Sequence, residues 1–312
     1  MLAFNVTWDQ VSQLLVIGVI NGAAYGVLGV GFAIILGVTG RFHFAFGFTY
    51  ALAAYGVFWA YARAGMPYTI AVIFGVLVCV ILGVGMERFG YRTLAKRAGP
   101  AALLAVFVAS LGIAIAGENV IRLTFSSAAQ QIGGATGLRT AIHWGPTSFR
   151  WLDVWQVVSG LVLVVILTVV LTYTGLGRAI KATRGNPEMA RIIGINPNRI
   201  YIVCFAIGSL FAGVAAYWYG AKYSVQADMG FKPVIFAFVV GFLAGTASSP
   251  IRIFTVGIVV SIIEQLSSLF LEVRWTQLVV FVILVVYLGA LSIEPRKIYA
   301  AIRHPSMFAS KG

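Results

Sequence analysis

Charged residues are scarce in this chain. Only 10% of its 312 residues are charged, whereas 60% are hydrophobic. A water-soluble protein cannot bury so large an apolar fraction, so the composition excludes a soluble globular domain and predicts a polytopic membrane protein. The formal net charge of +13 then reflects basic loops on the cytoplasmic side of a membrane, and it argues against nucleic acid as a partner.

Cysteine, histidine and catalytic motifs are also rare or absent. Cys79 and Cys204 both fall inside apolar runs, so a disulfide framework is not expected. The three histidines are far apart and lack metal-ligand spacing, so we predict no metal site. The sequence has no P-loop, nucleophile elbow, His-Glu-x-x-His motif or paired-carboxylate motif. We therefore predict no catalytic residue, no bound cofactor and no ATP site in this chain.

Long apolar runs are what the sequence has in abundance. Nine of them are long enough, or nearly so, to cross a bilayer, at about 14–38, 45–62, 69–87, 101–123, 154–175, 200–219, 231–247, 253–271 and 276–291. The runs at 45–62, 231–247 and 276–291 are short for a hydrocarbon core of roughly 30 Å, which favours discontinuous or re-entrant helices. The predicted fold is all-α, a polytopic transmembrane bundle of about eight or nine spans that forms one domain over residues 1–312.

Lysine and arginine are distributed unevenly between the loops. If every run crosses, 15 of them lie on one side and 7 on the other, which together make the 22 in the sequence. Because cytoplasmic loops carry an excess of these residues, the richer side is predicted to be cytoplasmic. Nine crossings then place the N-terminus outside. If one short run is re-entrant, the side of the N-terminus stays open.

Two glycine-bearing breaks, at 37–47 and 241–250, interrupt the apolar pattern, one in each half of the chain. Such a pair predicts an internal repeat with a path for a solute between its halves. Non-helical backbone at membrane depth must be buried in protein or line a cavity. The pathway residues predicted at the first break are His43, Phe44, Phe46 and Gly47. A loop position facing water is the alternative for His43.

The first span has glycine at every fourth position, at Gly18, Gly22 and Gly26, which predicts close packing of another helix. Asn21 and Tyr25 lie in the same stretch and are predicted pathway residues. An interhelical hydrogen bond is the alternative role for Asn21.

Glu264 falls near the middle of its apolar run, with Ser261, Gln265 and Ser268 at helical spacing on the same face. A carboxylate inside a membrane is costly, so we predict that Glu264 belongs to the pathway. The alternative is a protonated or hydrogen-bonded glutamate that seals a contact between helices.

Residues 176–199 form the longest basic, polar stretch between two apolar runs, and they are predicted to contain a short helix. Asn186 is a good N-cap, Pro187 suits the first helical position, and Glu188 falls in the first turn. Gly194 is expected to end the helix. Its apolar side consists of Met189, Ile192 and Ile193. A helix this short is not stable alone, so either the membrane surface or a groove in another protein must cover it.

Three stretches carry a family resemblance. Residues 12–56 include Asn-Gly, a glycine-rich span, Gly-Val-Thr-Gly and then Arg-Phe-His-Phe-Ala-Phe-Gly. This resembles the opening of the permease subunits of branched-chain amino-acid ABC importers. Residues 177–194 are similar to the family's cytoplasmic loop, which seats on an ATPase, and residues 239–265 match its glycine-rich break more weakly. His43 and Phe46 replace the family's Asn and His, so the resemblance leaves the substrate open.

The resemblance implies a multi-pass permease subunit in a bacterial or archaeal plasma membrane. It would move a small polar solute, such as a branched-chain amino acid or a related amino acid, amide or aromatic acid, into the cytoplasm by alternating access. A second permease subunit, two cytoplasmic ATPases that bind ATP and Mg, and an extracytoplasmic binding protein are implied partners. The implied ATPase-coupling residues are Gly177, Arg178, Pro187, Glu188, Met189, Ala190, Ile193 and Gly194. The rival functions are a stand-alone ion-coupled carrier that uses Glu264 and a structural membrane scaffold.

Overall fold

Helices account for most of the chain in a computed structural model that describes residues 7–126, 128–134, 136–272 and 275–292. In chain order the described α-helices are α1 (Trp8–Thr39), α2 (Phe46–Phe58), α3 (Tyr68–Gly85), α4 (Arg92–Ala98), α5 (Ala102–Phe125), α6 (Trp151–Tyr173), α7 (Gly175–Gly185), α8 (Pro187–Ile192), α9 (Pro197–Lys222), α10 (Phe231–Ala244), α11 (Pro250–Ser267) and α12 (Thr276–Ser292). Each of the nine apolar runs of the sequence is helical over most of its length. Within the residues that the structure describes, five helical stretches are long and apolar enough to cross a membrane. The predicted polytopic helical bundle is confirmed.

A small β-hairpin between α5 and α6 departs from the all-α prediction. Its strands, β1 (Ala141–Trp144) and β2 (Thr147–Arg150), pair antiparallel. Gly145 has a φ of 59° in the two-residue turn, a conformation that such hairpin turns require and glycine adopts freely. The Gln13 side chain fixes the hairpin to α1, because it bonds both the backbone nitrogen and the carbonyl of Ser148, at 2.8 and 3.0 Å.

α1 is the central helix, and its glycines bring α11 very close. A Cβ on Gly22 would lie 2.5 Å from the Cα of Ile258, and one on Gly257 would lie 2.5 Å from the Cα of Gly26. Gly18 meets Ile262 in the same way. The close helix packing predicted from the glycine spacing is confirmed, and the order of these contacts makes α1 and α11 antiparallel.

Two ends of the bundle differ in composition. The end where α1 finishes, which we call the basic end, carries the described members of the predicted cytoplasmic set: Arg41, Arg88, Arg92, Lys96, Arg97, Arg178, Lys181, Arg184, Arg191, Arg199 and Arg252. The tail members Arg296, Lys297, Arg303 and Lys311 lie outside the described residues. Six tryptophan rings at least 40% exposed lie on elements at the opposite end: Trp8, Trp59, Trp144, Trp151, Trp155 and Trp275. Tryptophan is enriched at membrane–water interfaces, so this end fits an interfacial belt.

Two helices begin inside the bundle instead of at its ends. α2 starts at Phe46, whose ring lies beside Gly31, eight residues before the end of α1 at Thr39. α10 starts at Phe231 and has 14 residues, about 21 Å of helix against roughly 30 Å of hydrocarbon. Both starts fit the discontinuous helices that the short apolar runs favour.

The two interior helix starts touch each other through glycine. A Cβ on Gly230 would lie 2.0 Å from the carbonyl oxygen of Gly47, so no other residue lets these backbones approach so closely. The non-helical residues 40–45, which lie within the first predicted break, therefore adjoin the connection 223–230 between α9 and α10. The sequence had instead predicted that the first break pairs with the break at 241–250. The latter break instead lies at the basic end, where Gly37 contacts the carbonyl of Thr246.

Candidate functional site

A cavity of about 180 Å³, which we call the polar cavity, lies between α1, α6, α9 and the start of α10, in the half of the bundle away from the basic end. Its polar lining includes Asn21, Tyr25, Gln156, Tyr219, Lys222 and Lys232. These residues come from four helices that are distant in sequence, so the cavity exists only in the folded chain.

The walls of the polar cavity are held by defined contacts. Asn21 and Tyr25 are one helical turn apart and therefore share a face of α1. The Tyr25 ring stacks on Phe236 of α10, with 4.2 Å between ring centroids and 17° between planes. The Gln156 amide of α6 donates to the carbonyl of Ile20, at 2.9 Å. The side chains of Tyr25 and Gln156 are therefore held in position by contacts with α10 and α1.

Two ion pairs flank the polar cavity. Lys222, in the last turn of α9, lies 2.6 Å from an oxygen of Asp153, whose other oxygen accepts the backbone N–H of Arg150 at 2.9 Å. Lys232, in the first turn of α10, lies 3.4 Å from Glu264 of α11. The Lys232 side chain is 50% exposed, whereas the Glu264 side chain is 3% exposed. The second pair is looser and open to the cavity.

A second polar network lies near the basic end and surrounds the break before α2. Arg41 forms an ion pair with the fully buried Glu87, and its guanidinium lies 5.3 Å from the Tyr201 ring centre. The His43 ring nitrogen Nδ1 lies 2.8 Å from the hydroxyl of Tyr91. Glu87 and Tyr91 share one π-helical turn, Met86–Tyr91, which directly continues α3. This turn therefore ties the break to α3.

α8 projects from the basic end as a separate short helix. The Asn186 side chain accepts from the backbone nitrogens of Glu188 and Met189, at 2.9 and 3.1 Å, and Gly194 has a φ of 85°. The predicted N-cap and glycine stop are confirmed. The apolar side of α8 is open: Met189 is 60%, Ile192 76% and Ile193 70% exposed.

α7 connects α8 to the body of the bundle. Gly177 is buried, and a Cβ there would lie 2.4 Å from the carbonyl oxygen of Leu171 at the end of α6. The guanidinium of Arg184 donates to the carbonyl of Ala247, at 3.0 Å, in the connection between α10 and α11. α7 therefore contacts both the end of α6 and the connection that precedes α11.

Residues 14–288 match the family model of the branched-chain amino acid transport system permease component. The chain belongs to this family. It is 25% identical to the high-affinity branched-chain amino acid transport system permease protein LivH of Escherichia coli K12, over 87% of this chain and 90% of LivH. It is 29% identical to the permease protein BraD of Pseudomonas aeruginosa, over 76% of this chain and 80% of BraD. No solved structure matched the chain.

Family membership makes the chain a transport subunit, not an enzyme, and a multi-pass protein of the plasma membrane. Among the permease's seven predicted pathway residues, Asn21 and Tyr25 line the polar cavity, and Glu264 lies behind it, next to Tyr25 and paired with Lys232. These three are brought together as members of one site.

The other four predicted pathway residues lie elsewhere in the permease. Phe44 and Gly47 line an apolar groove of about 270 Å³ between α2, α5 and α10. His43 and Phe46 are fully buried, with 5.8 Å between their ring centroids, and His43 also packs against Phe205. Non-helical backbone at membrane depth must be buried in protein or line a cavity, and the break before α2 is buried at His43. The His43 side chain therefore neither lines a cavity nor faces water in this structure.

The predicted coupling residues of the permease divide by exposure. Arg178, Pro187, Glu188, Met189, Ile193 and Gly194 are exposed at the basic end, whereas Gly177 is buried against α6. Ala190 differs from the expectation of an exposed partner contact, because it is 2% exposed and faces the chain's own body. Its small size lets α8 seat on the permease itself.

Sequence reasoning missed the lysines of the polar cavity. The apolar and basic patterns of the sequence pointed to neither Lys222 nor Lys232, and they pointed to neither Asp153 nor Gln156. One signal was available: a buried Glu264 needs a cationic or hydrogen-bonding partner, and Lys232 lies at the start of the neighbouring short apolar run.

Proposed function

We propose that this permease is the membrane-spanning subunit of an ATP-driven importer, which brings a small polar organic solute into the cytoplasm by alternating access. The candidate solutes are branched-chain amino acids and related amino acids, amides or aromatic acids. The observation that carries the proposal is α8, which is capped at both ends and presents three large apolar side chains to the outside of the chain. A groove in a cytoplasmic ATPase is the cover that such a helix fits.

The partners follow from that assignment. Two ATPase subunits would bind ATP and Mg, a second permease subunit would complete the path, and a binding protein would deliver the solute at the end opposite the basic end. ATP-driven closure of the ATPases would move α8, and α7 would pass the movement through Arg184 to the start of α11. Because α11 packs glycine to glycine against α1, a shift of α11 reaches a wall of the polar cavity.

The ion-coupled carrier is less well supported than the importer. A proton- or sodium-coupled mechanism needs a carboxylate that takes up the ion, and Glu264 is already paired with Lys232. A scaffold without transport gives no reason for a charged cavity inside the bundle.

Purification under mild conditions tests the assembly. We expect the tagged permease, solubilised from its native membrane, to retain two P-loop ATPase chains and a second permease chain, identified by mass spectrometry. The complex should hydrolyse ATP. A preparation that contains only copies of this chain, and no ATPase before or after crosslinking in the membrane, would argue for the carrier.

A further inference from the structure

A second cavity, of about 200 Å³, which we call the basic cavity, lies at the basic end between α1, α6, α7 and the connection from α10 to α11. Lys181 and Arg184 of α7 line it, next to the hydroxyl groups of Thr172, Thr246 and Ser249. No carboxylate lines it among the residues that the structure describes. Its polar side chains are therefore cations and hydroxyl groups, which are the donors that a phosphate or another anion requires.

The two cations of the basic cavity are not neutralised by ion pairs. Within the described part of the chain, both Lys181 and Arg184 are exposed and neither pairs with a carboxylate. Both lysines of the polar cavity, by contrast, have a carboxylate partner. Arg184 uses one of its five N–H groups on the carbonyl of Ala247, at 3.0 Å, which holds the guanidinium in place and leaves its other donors available. The positive charge of the basic cavity is thus available to an anion from outside the chain.

The basic cavity lies at the level where lipid headgroups are expected. Its lining includes Val38 and Thr172, the penultimate residues of α1 and α6, and Pro250, the first residue of α11. These three helices are long and apolar enough to cross a membrane, so their ends lie near its surface. The distribution of lysine and arginine predicts that this surface is the cytoplasmic one, where anionic lipids give a negative potential.

Exposed apolar side chains continue from the basic cavity along two helices. Leu161 and Val165 follow Thr172 at helical spacing on one side of α6, and they are 48% and 43% exposed. On α11, Ile251 and Val259 are 48% and 49% exposed. The cavity itself is smaller than the roughly 300–1,000 Å³ of pockets for drug-sized ligands, so it takes a headgroup and not a whole lipid or a nucleotide. Acyl chains attached to that headgroup would lie outside, on this apolar surface.

We propose that the basic cavity binds the phosphate of an anionic phospholipid, with Lys181 and Arg184 as its ligands and the acyl chains along α6 and α11. Basic pockets between transmembrane helices on the cytoplasmic side bind headgroups of this kind. A zwitterionic lipid carries its own cation beside the phosphate, so it gains less from the two side chains. The proposal goes beyond the proposed function, because it concerns neither the solute nor the energy source of uptake.

A fluorophore beside the basic cavity reports which lipid occupies it. Tyr173 ends α6, is 77% exposed and follows Thr172, so Tyr173→Cys labelled with bimane places the fluorophore at the rim without filling the cavity. The native Cys79 and Cys204 are buried and do not compete for the label. The labelled permease, with the partners that co-purify with it, is placed in phosphatidylcholine nanodiscs. These contain increasing fractions of phosphatidylglycerol or phosphatidylcholine with a nitroxide near the top of one acyl chain.

We expect nitroxide phosphatidylglycerol to reach half-maximal quenching at an about tenfold lower fraction than nitroxide phosphatidylcholine. Lys181→Gln should reduce this preference to less than about threefold, and Lys181→Arg should keep it, because the second variant retains the charge. Lys96→Gln is the matched control: it removes an exposed lysine at the same end, on α4 and outside the basic cavity, and should leave the preference intact.

Inorganic phosphate separates a lipid headgroup from a soluble anion, since it has the same donors to bind but no acyl chains. Phosphate and chloride of equal ionic strength should weaken the quenching by phosphatidylglycerol equally. Stronger displacement by phosphate would assign the cavity to a soluble anion and reject the lipid.

Three further results overturn the proposal. They are equal quenching by the two lipids, a preference that Lys181→Gln leaves unchanged, and quenching by neither lipid, which would mean that a partner chain covers the cavity. The comparison of the two lipids uses the native Lys181, so it stands even if Lys181→Gln does not fold.

Discussion

Replacing Ile192 with aspartate is expected to lower ATP-driven uptake at least about a hundredfold while the permease remains inserted and folded. Ile192 is 76% exposed and belongs to the apolar side of α8, with Met189 and Ile193. A carboxylate moved from water into an apolar groove costs several kcal/mol, and about 2.7 kcal/mol corresponds to a hundredfold change in binding. Exposed substitutions that enter no interface usually change stability by less than about 0.5 kcal/mol.

Uptake and ATP hydrolysis, measured in vesicles with the amount of inserted permease quantified, check this expectation. Ile192→Leu should transport like the parent. Thr93→Asp supplies the matched control, because Thr93 is exposed on α4 at the same basic end but lies outside α8. Parental uptake by Ile192→Asp would mean that α8 is covered by no partner and rests on the membrane surface.

Glu87→Gln is expected to cost the permease about 3–5 kcal/mol of unfolding free energy, because it leaves the Arg41 guanidinium, 12% exposed, without its ionic partner. The pair joins the break before α2 to the π-helical turn after α3, so its loss also loosens the entry of α2. Replacing both Arg41 and Glu87 with leucine should recover most of the loss, since a buried pair exchanged for apolar groups is often neutral.

Reversible unfolding in mixed micelles measures these differences. Glu118→Gln is the control: its partner Arg122 lies 2.5 Å away and is 45% exposed, so this pair is worth at most about 1 kcal/mol. A Glu87→Gln permease as stable as Glu118→Gln would show that the buried pair contributes little and that packing alone fixes the break.

Local signals in the sequence predicted much of the helical frame. Runs of apolar residues identified the long apolar helices that the structure describes, because a lipid-embedded backbone must satisfy its hydrogen bonds within helices. Asn186 and Gly194 defined α8, since an N-cap and a positive-φ glycine act within a few residues of the helix ends. The glycines of α1 predicted a close neighbour, although they could not say that the neighbour is α11.

The site was harder to predict because long-range contacts build it. Asn21 and Tyr25 were identified as unusual polar residues in a span, but Lys222 and Lys232 have meaning only beside Asp153 and Glu264. The surroundings of His43 were not predicted either: a polar residue in a glycine-bearing break suggested a pathway wall, and in the structure Tyr91 and Phe205 enclose this side chain. Non-helical backbone at membrane depth is tolerated both where it is buried in protein and where it lines a cavity. The sequence alone therefore does not tell which of the two applies to a given break.

The energy source for uptake tests the central claim most directly. The permease and the partners that co-purify with it are placed in vesicles together with the binding protein and its natural ligand, and ionophores are added to remove all ion gradients. We predict that ligand accumulates only when ATP is present on the side of α8, and that accumulation is unaffected by the ionophores. Accumulation by this chain alone, driven by a proton or sodium gradient without ATP, would contradict the account.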